Sequence, residues 1–406
     1  MRLQASALFY ALLMATLIAV LSVGLIALAQ HFQALQQQQL RQLELVRNIY
    51  SGMAFWGQDE IDEIQLEEEQ LFVAKQAWGL FQIGRVKAEQ TFSFGTRSLQ
   101  KAAILGEKVD KSSYTALYVQ DNRKPVVLCG NTRIKGDVYR PKSGIKKGAV
   151  DGQAFSGTQL FIGKDRISEN RMPALDTVLI EQLLALQKQK ANQKLTDLAQ
   201  ELEHSFQEPL LVVQQKHLRL RKRALKGHIL LLATDSITVE ASAQLEDVIL
   251  LAPFIRLKSG LKGSFQAYAT EQMVVEERAI LSYPSCIGLI KHRADQRQGY
   301  LELQSGVRIG GQVFSCLLPT SRGFPVIRIE ANSMVEGSIF SDGPLQMEGK
   351  VHGNLYTRNF VLRKGGRNYY NYILNTVIDR TQLSKAYTGP FLKDRKAEYG
   401  IVKWVD

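Results

Sequence analysis

Cysteine is scarce in this chain: three in 406 residues, at Cys129, Cys286 and Cys316. That is too few and too scattered for a disulfide scaffold or a thiolate metal site. At most one bridge can form, with Cys286 and Cys316 the nearer pair, and three lone buried thiols are the expected state. Histidine is sparse as well. The six, at 31, 204, 217, 228, 292 and 352, share no ligand spacing with acids or cysteines. No nucleophile elbow, Walker loop or dinucleotide fingerprint is present, and Gly310-Gly311 and Gly365-Gly366 lack the rest of such motifs. Asp235, Glu240, Glu246 and Asp247 are the acids that could serve a polysaccharide lyase, against the plainer reading of isolated exposed carboxylates. No enzyme, cofactor or metal is expected from these residues.

Long apolar runs are also missing, with one exception. From Ala5 to Ala29 no charge occurs, and Leu, Ile, Val and Ala dominate. At about 1.5 Å per residue such a helix more than crosses a hydrocarbon core of about 30 Å. Ala27-Leu28-Ala29 imitates a signal-peptidase site, but the run is longer than a typical signal core and only Arg2 precedes it. Residues 1–30 are therefore read as a single uncleaved transmembrane anchor, with the membrane as a partner through residues 5–29. Arg2 on one side and Arg41 and Arg47 on the other leave the charge rule nearly balanced. A four-residue leader exports poorly, which places the N-terminus in the cytoplasm and the body in the periplasm, at an inner membrane.

Residues 31–58 continue as a helical stalk, in which Leu35, Leu40, Leu43, Val46 and Ile49 recur at spacings of three to five. An apolar helix that opens on Ser6-Ala7-Leu8 and runs unbroken into such a stalk resembles the N-terminal helix of type IV pilins, though the pilin cleavage signature is absent. Acidic Asp59 to Glu63 and Glu67 to Glu69 mark a junction. Residues 59–133 read as a small β-rich domain, with Gln120 to Pro125 as a hairpin loop. Leucines from Leu175 to Leu202 recur with a helical period, so 173–209 is expected to be a helical insertion that caps an open sheet end. Residues 367–406, rich in aromatics around Asn368 to Tyr372, are read as a C-terminal cap.

What the sequence does have is a repeated phrase of aliphatic, polar, Gly, polar, aliphatic and aromatic residues. It occurs as Ile134 to Tyr139, Val150 to Phe155, Ile309 to Phe314, Val335 to Phe340 and Val351 to Tyr356. Leu261 to Phe265 is a partial copy that ends on Gln266. Two pairs of copies, 134/150 and 335/351, lie 16 residues apart, about one coil of a solenoid. The fold expected is mainly β: a β-solenoid with first coils at 134–172 and a main body at 210–366, the inserted helix between them. Alternation sends the aliphatic positions inward, with Gly where the interior is narrow or a corner needs positive φ. It sends the sixth position outward, making Tyr139, Phe155, Phe314, Phe340 and Tyr356 a candidate interaction surface. The competing reading tucks those rings inside or beneath the inserted helix.

These Gly-spaced coils, Val335 to Ile339 and Val351 to Leu355 with Ile134 to Val138 upstream, resemble the bactofilin family of bacterial β-solenoids. That resemblance implies a scaffolding role and self-association. The net charge of +12 invites an anionic neighbour, or reflects lysines and arginines spread over a solvated surface. Its densest stretch holds Lys216, Arg219, Arg221, Lys222, Arg223 and Lys226, a candidate patch for an anionic glycan or lipid. Without interleaved aromatics nucleic acid is disfavoured, and a charge-guarded edge strand is the plain alternative. Two functions remain: a membrane-anchored scaffold of the bacterial envelope, accessory to a pilus-like or other surface assembly, and an envelope protein that binds or modifies polysaccharide.

Overall fold

The computed structural model describes residues 3–57, 63–66, 71–92, 95–108, 114–291, 298–318, 324–389 and 398–405. Most of the acidic junction, Asp59 to Asp62 and Glu67 to Glu69, and also His292, lie outside these residues. The chain divides into two units: Met1–Phe55, Glu63–Ala74 and Val86–Lys101 form one, and Trp56–Asp62, Lys75–Arg85 and Ala102–Asp406 the other.

In the first unit Leu3–Ala54 is one helix of 52 residues, α1. Every residue from Ala7 to Glu44 is exposed, the uncharged run from Ala7 on included, and the helix is long and apolar enough to cross a membrane. Beyond Glu44 one face turns inward through Leu45, Ile49 and Gly52, at i, i+4 and i+7. Leu71, Val73, Val86 and Ala88 complete this small core, alternating along their strands as a one-sided sheet requires. Gly52 permits close approach, since a Cβ there would run into Val86 and stand 3.1 Å from Leu71 Cδ1.

The second unit is built on a parallel sheet that closes on itself. Its central strands, Ile229–Val239, Gln244–Leu257, Lys262–Val275, Ile280–Lys291, Arg308–Leu317, Met334–Met347 and Lys350–Lys364, stack in that order or through short companions. Aliphatic residues from each line one interior, among them Ile309, Val313, Val335, Ile339, Val351 and Leu355. These are the first and fifth positions of the repeat, so alternation holds within it. Four-residue turns separate successive strands, with the amides of Ala243, Leu261, Ala279, Val307 and Ser333 bonded three residues back. In four of them the third residue is left-handed: Gly260, Arg278, Gly306 and Asn332.

The order of strands departs from the order of the chain. Strand Lys350–Lys364 is followed in the stack by Thr115–Val119, with Leu355 opposite Leu117, and then by Asp137–Arg140 and Asp165–Ile167. Residues 372–379 insert at the same level, Tyr372–Leu374 beside Val126–Cys129 and Val377–Asp379 between Lys350 and Arg133. Strands early in the sequence thus sit beyond later ones in the sheet. Three expectations change accordingly. Residues 115–133 belong with the parallel body, not to a separate small domain: Thr115–Val119 joins the closed sheet, and Val126–Cys129 joins a three-stranded parallel sheet whose Val126 and Leu128 share the same interior. Gln120 to Pro125 joins two strands that pair with other partners, so it is a corner and not a hairpin loop. The tail is no cap over an open edge: it fills a level of the stack and ends as Tyr399–Val405, antiparallel to Ala102–Lys108.

Two further corrections concern local structure. The copy at Val150 to Phe155 is a tight hairpin, Ala149–Val150 against Gln153–Ala154. Asp151 and Gly152 at its tip are both left-handed, as a two-residue hairpin turn demands. The helical insertion shrinks to α2, Thr177–Ala185, capped by the Asp176 carboxylate on the amides of Val178 and Leu179. Its Leu179, Ile180 and Leu183 lie on an outer face of the parallel sheet, not over its end. Leu195, with Leu198 and Leu202 packed against the interior, covers the end instead, in 3-10 and extended chain. There the Asn192 side chain accepts from Val212 N and donates to Leu210 O, satisfying edge groups of strand Leu211–Leu220.

Candidate functional site

Parallel registry converts the sixth position of the repeat into a column. Tyr268, Gly288, Phe314, Phe340, Tyr356, Tyr118 and Tyr139 are successive registered partners. Ring centroids step along it at 6.3 Å from Phe340 to Tyr356, 5.8 Å to Tyr118 and 5.6 Å to Tyr139. Gly288 leaves room for the Phe314 ring, which overlies it. The partial copy at 261 joins the column after all: a register slip between Gly263 and Gln266 delays its aromatic to Tyr268.

The column points away from the interior, yet it is covered. Phe314 and Phe340 are 1% and 3% exposed, packed in one cluster with α2, Trp78, Leu80 and Phe81. Tyr356 and Tyr139 are half-buried, and Arg166 closes the far end over the Tyr139 ring. Tyr118 accepts from Glu169 N and donates to Arg171 O. Phe155 stands apart from the column, half-buried against the end of the interior. Of the five rings proposed as an interaction surface, then, two are sealed, two are partly covered within the column, and one plugs an end.

The third position has its own column, Gly311, Gly337 and Gly353. Each is left-handed, at φ 137°, 153° and 155°. A Cβ on Gly337 would strike the carbonyl oxygen of Gly311, and one on Gly353 that of Gly337. The glycine is fixed by the backbone of the preceding strand, not by a crowded interior.

The basic stretch divides by environment. Lys216 and Arg219 are exposed on strand Leu211–Leu220, whose Leu218 and Leu220 face inward. Arg219 pairs with Glu240 at 2.7 Å, and Lys226 with Glu203 at 2.5 Å. Arg223 donates to the carbonyls of Leu198 and Ala199. Arg221 and Lys222 are exposed at the following turn. Of the acids considered for lyase chemistry, Asp235 meets His217 at 3.0 Å and Glu240 meets Arg219, while Glu246 and Asp247 converge on Lys403, at 2.5 and 2.7 Å.

That convergence borders an open groove of about 600 Å³ lined by Glu203, Lys226, Glu246 and Lys262 among others. Burial raises the pKa of Asp247, and the Lys403 hydrogen bond offsets this only in part. The Lys403 hydrogen bond lowers that of Glu246. The two carboxylates differ because Asp247 is sealed and Glu246 is half in solvent. Two of the groove's acids are already locked to lysines, Glu203 to Lys226 and Glu246 to Lys403. Among the described residues no cluster of His, Cys, Asp and Glu is arranged to hold a metal ion. All three cysteines are free and buried, and Cys286 and Cys316 lie at different registers of neighbouring strands. No family model, curated protein or solved structure matches the chain.

Proposed function

We propose that this protein is a membrane-anchored structural element of the bacterial envelope. Residues 5–29 of α1 lie in the inner membrane as a single span, with the N-terminus in the cytoplasm and the β body in the periplasm. The body serves as a rigid β-solenoid of the kind the bactofilin resemblance implies, and the anchor acts as a pilin-like helix does. The observation that carries the reading is the exposed, uncharged helical run, which in water would leave a large apolar surface uncovered. The repeat supports a scaffolding role because its Gly and aliphatic columns serve packing, and its aromatic column is spent on an internal cover. Side chains plug both ends of the interior, Leu195 at one and Phe155 with Leu160 and Phe161 at the other. This favours lateral association with other envelope proteins over end-to-end polymerisation.

The test is alkaline carbonate extraction of bacterial membranes carrying the full chain, with Leu17→Arg/Leu21→Arg as the comparison. Each arginine costs about 2.5–3.5 kcal/mol near the centre of a span. The parent chain should stay in the membrane pellet and the double variant should be released. Release of the parent would overturn the anchor.

A further inference from the structure

Parallel stacking makes each column of the sheet a ruler, because neighbouring strands lie about 4.8 Å apart. One outward column carries Lys262, Arg308, Lys350 and Arg133 on alternate rungs. The rungs between them hold Ile280, Met334 and Val377. Positive charges therefore recur about every 10 Å along a straight line of about 29 Å. All four basic side chains are exposed, and none has an ion pair or hydrogen bond among the described residues.

Several other basic residues on this body are paired. Arg256 and Lys258 share Glu276, Arg328 meets Glu302, and Arg358 meets Asp342. Beside the column, Glu246 is held by Lys403 and Asp379 by Lys135 and Thr381. Exposed Glu336 is the acid left between Arg308 and Lys350 on the next outward column. On the turn side, Arg278 adds a further exposed cation next to exposed Glu277. The column is an evenly spaced row of four positive charges without ion pairs among the described residues.

We propose that this row binds a linear anionic polysaccharide bearing one negative charge per short repeating unit. Wide, even spacing on a rigid surface matches a polymer whose charges are equally sparse, with Ile280, Met334 and Val377 as shallow apolar contacts between them. Nucleic acid fits poorly, because its phosphates recur about every 3.4 Å along each strand and its bases need aromatic platforms, which the row lacks. An anionic bilayer favours clustered cations over a straight file. Single exposed contacts are weak, so affinity comes from engaging several along one chain. This binding role goes beyond the anchoring proposed above and does not depend on it.

The experiment uses the detergent-solubilised full chain and immobilised hyaluronan, a linear glycan with one carboxylate per disaccharide. Binding should fall with rising salt. Lys262→Gln/Arg308→Gln/Lys350→Gln/Arg133→Gln should weaken it about tenfold or more without changing the melting temperature. The four single substitutions should each weaken it about two- to threefold, so a poorly folded quadruple variant leaves the question answerable. Soluble dihexanoylphosphatidylglycerol and a single-stranded oligonucleotide serve as competitors and should displace little. Absence of hyaluronan binding, undiminished binding by the singles and the quadruple variant, or ready displacement by either competitor would overturn the proposal.

Discussion

His228 shows what a single residue contributes at the edge of the charged cluster. It is buried, with its ring 5.3 Å from that of Phe206 and 4.9 Å from that of Trp78. Its Nδ1 donates to the carbonyl of Glu208 at 2.9 Å, and its Nε2 has no hydrogen-bond partner among the described residues. Burial holds its pKa down to about 4, with Arg85 and His204 nearby adding to the effect and the Glu208 carbonyl opposing it. An unfolded imidazole titrates near 6.5, so between pH 6.5 and 4 the unfolded chain takes up a proton that the folded chain refuses. Stability from the neutral ring is full above that window and lost as pH falls through it, by up to about 3 kcal/mol. Urea unfolding at pH 7 and pH 4.5 should show a smaller acid loss for His228→Phe than for the parent; equal losses would contradict this. The sequence listed His228 only as one histidine among six, because nothing local tells a sealed ring from a solvated one. The repeat glycines were legible as essential, whereas their cause, the carbonyl of the strand before, becomes visible only when distant copies are stacked.

At the scale of elements, α2 and the leucines beyond it illustrate how tertiary packing overrides local preference. Leu186 to Asp197 reads LQKQKANQKLTD, rich in good helix formers. The chain leaves the helix there because Asn192 serves the exposed edge of strand Leu211–Leu220 and Leu195 is drawn into the interior. One apparent leucine stripe therefore serves two surfaces. Leu183, 1% exposed, belongs to the cluster over Phe314 and Phe340. Leu183→Asp should cost about 2–5 kcal/mol and expose the aromatic column, read as a lower urea midpoint with new binding of a hydrophobic dye. A variant with the parent's midpoint and no dye binding would show that α2 is not the cover. The Asp151-Gly152 hairpin makes the opposite point: a turn signal present in the sequence was masked by its likeness to the repeat.

At the scale of the whole molecule, the mainly β class, the repeat and the long apolar helix were all readable, since each is written in local periodicity. The order of levels was not. Registered partners on successive strands differ in sequence separation, from 16 residues between Val335 and Val351 to 28 between Ile280 and Arg308, so no fixed period shows which copies are neighbours. Residues 115–140 and 372–379 meet across more than half the chain, and only registry reveals it. The covered aromatic column and the basic row both depend on that order. Its most direct test is a disulfide between Arg133→Cys and Val377→Cys, registered partners in the stack, with Arg133→Cys and Lys262→Cys, about 29 Å apart by strand spacing, as the control pair. In the full chain under mild oxidation, the 133–377 bond should form, detected by mass spectrometry of the linked peptides, and the 133–262 bond should not. An open 133–377 pair, or a 133–262 bond formed under the same conditions, would contradict the stack.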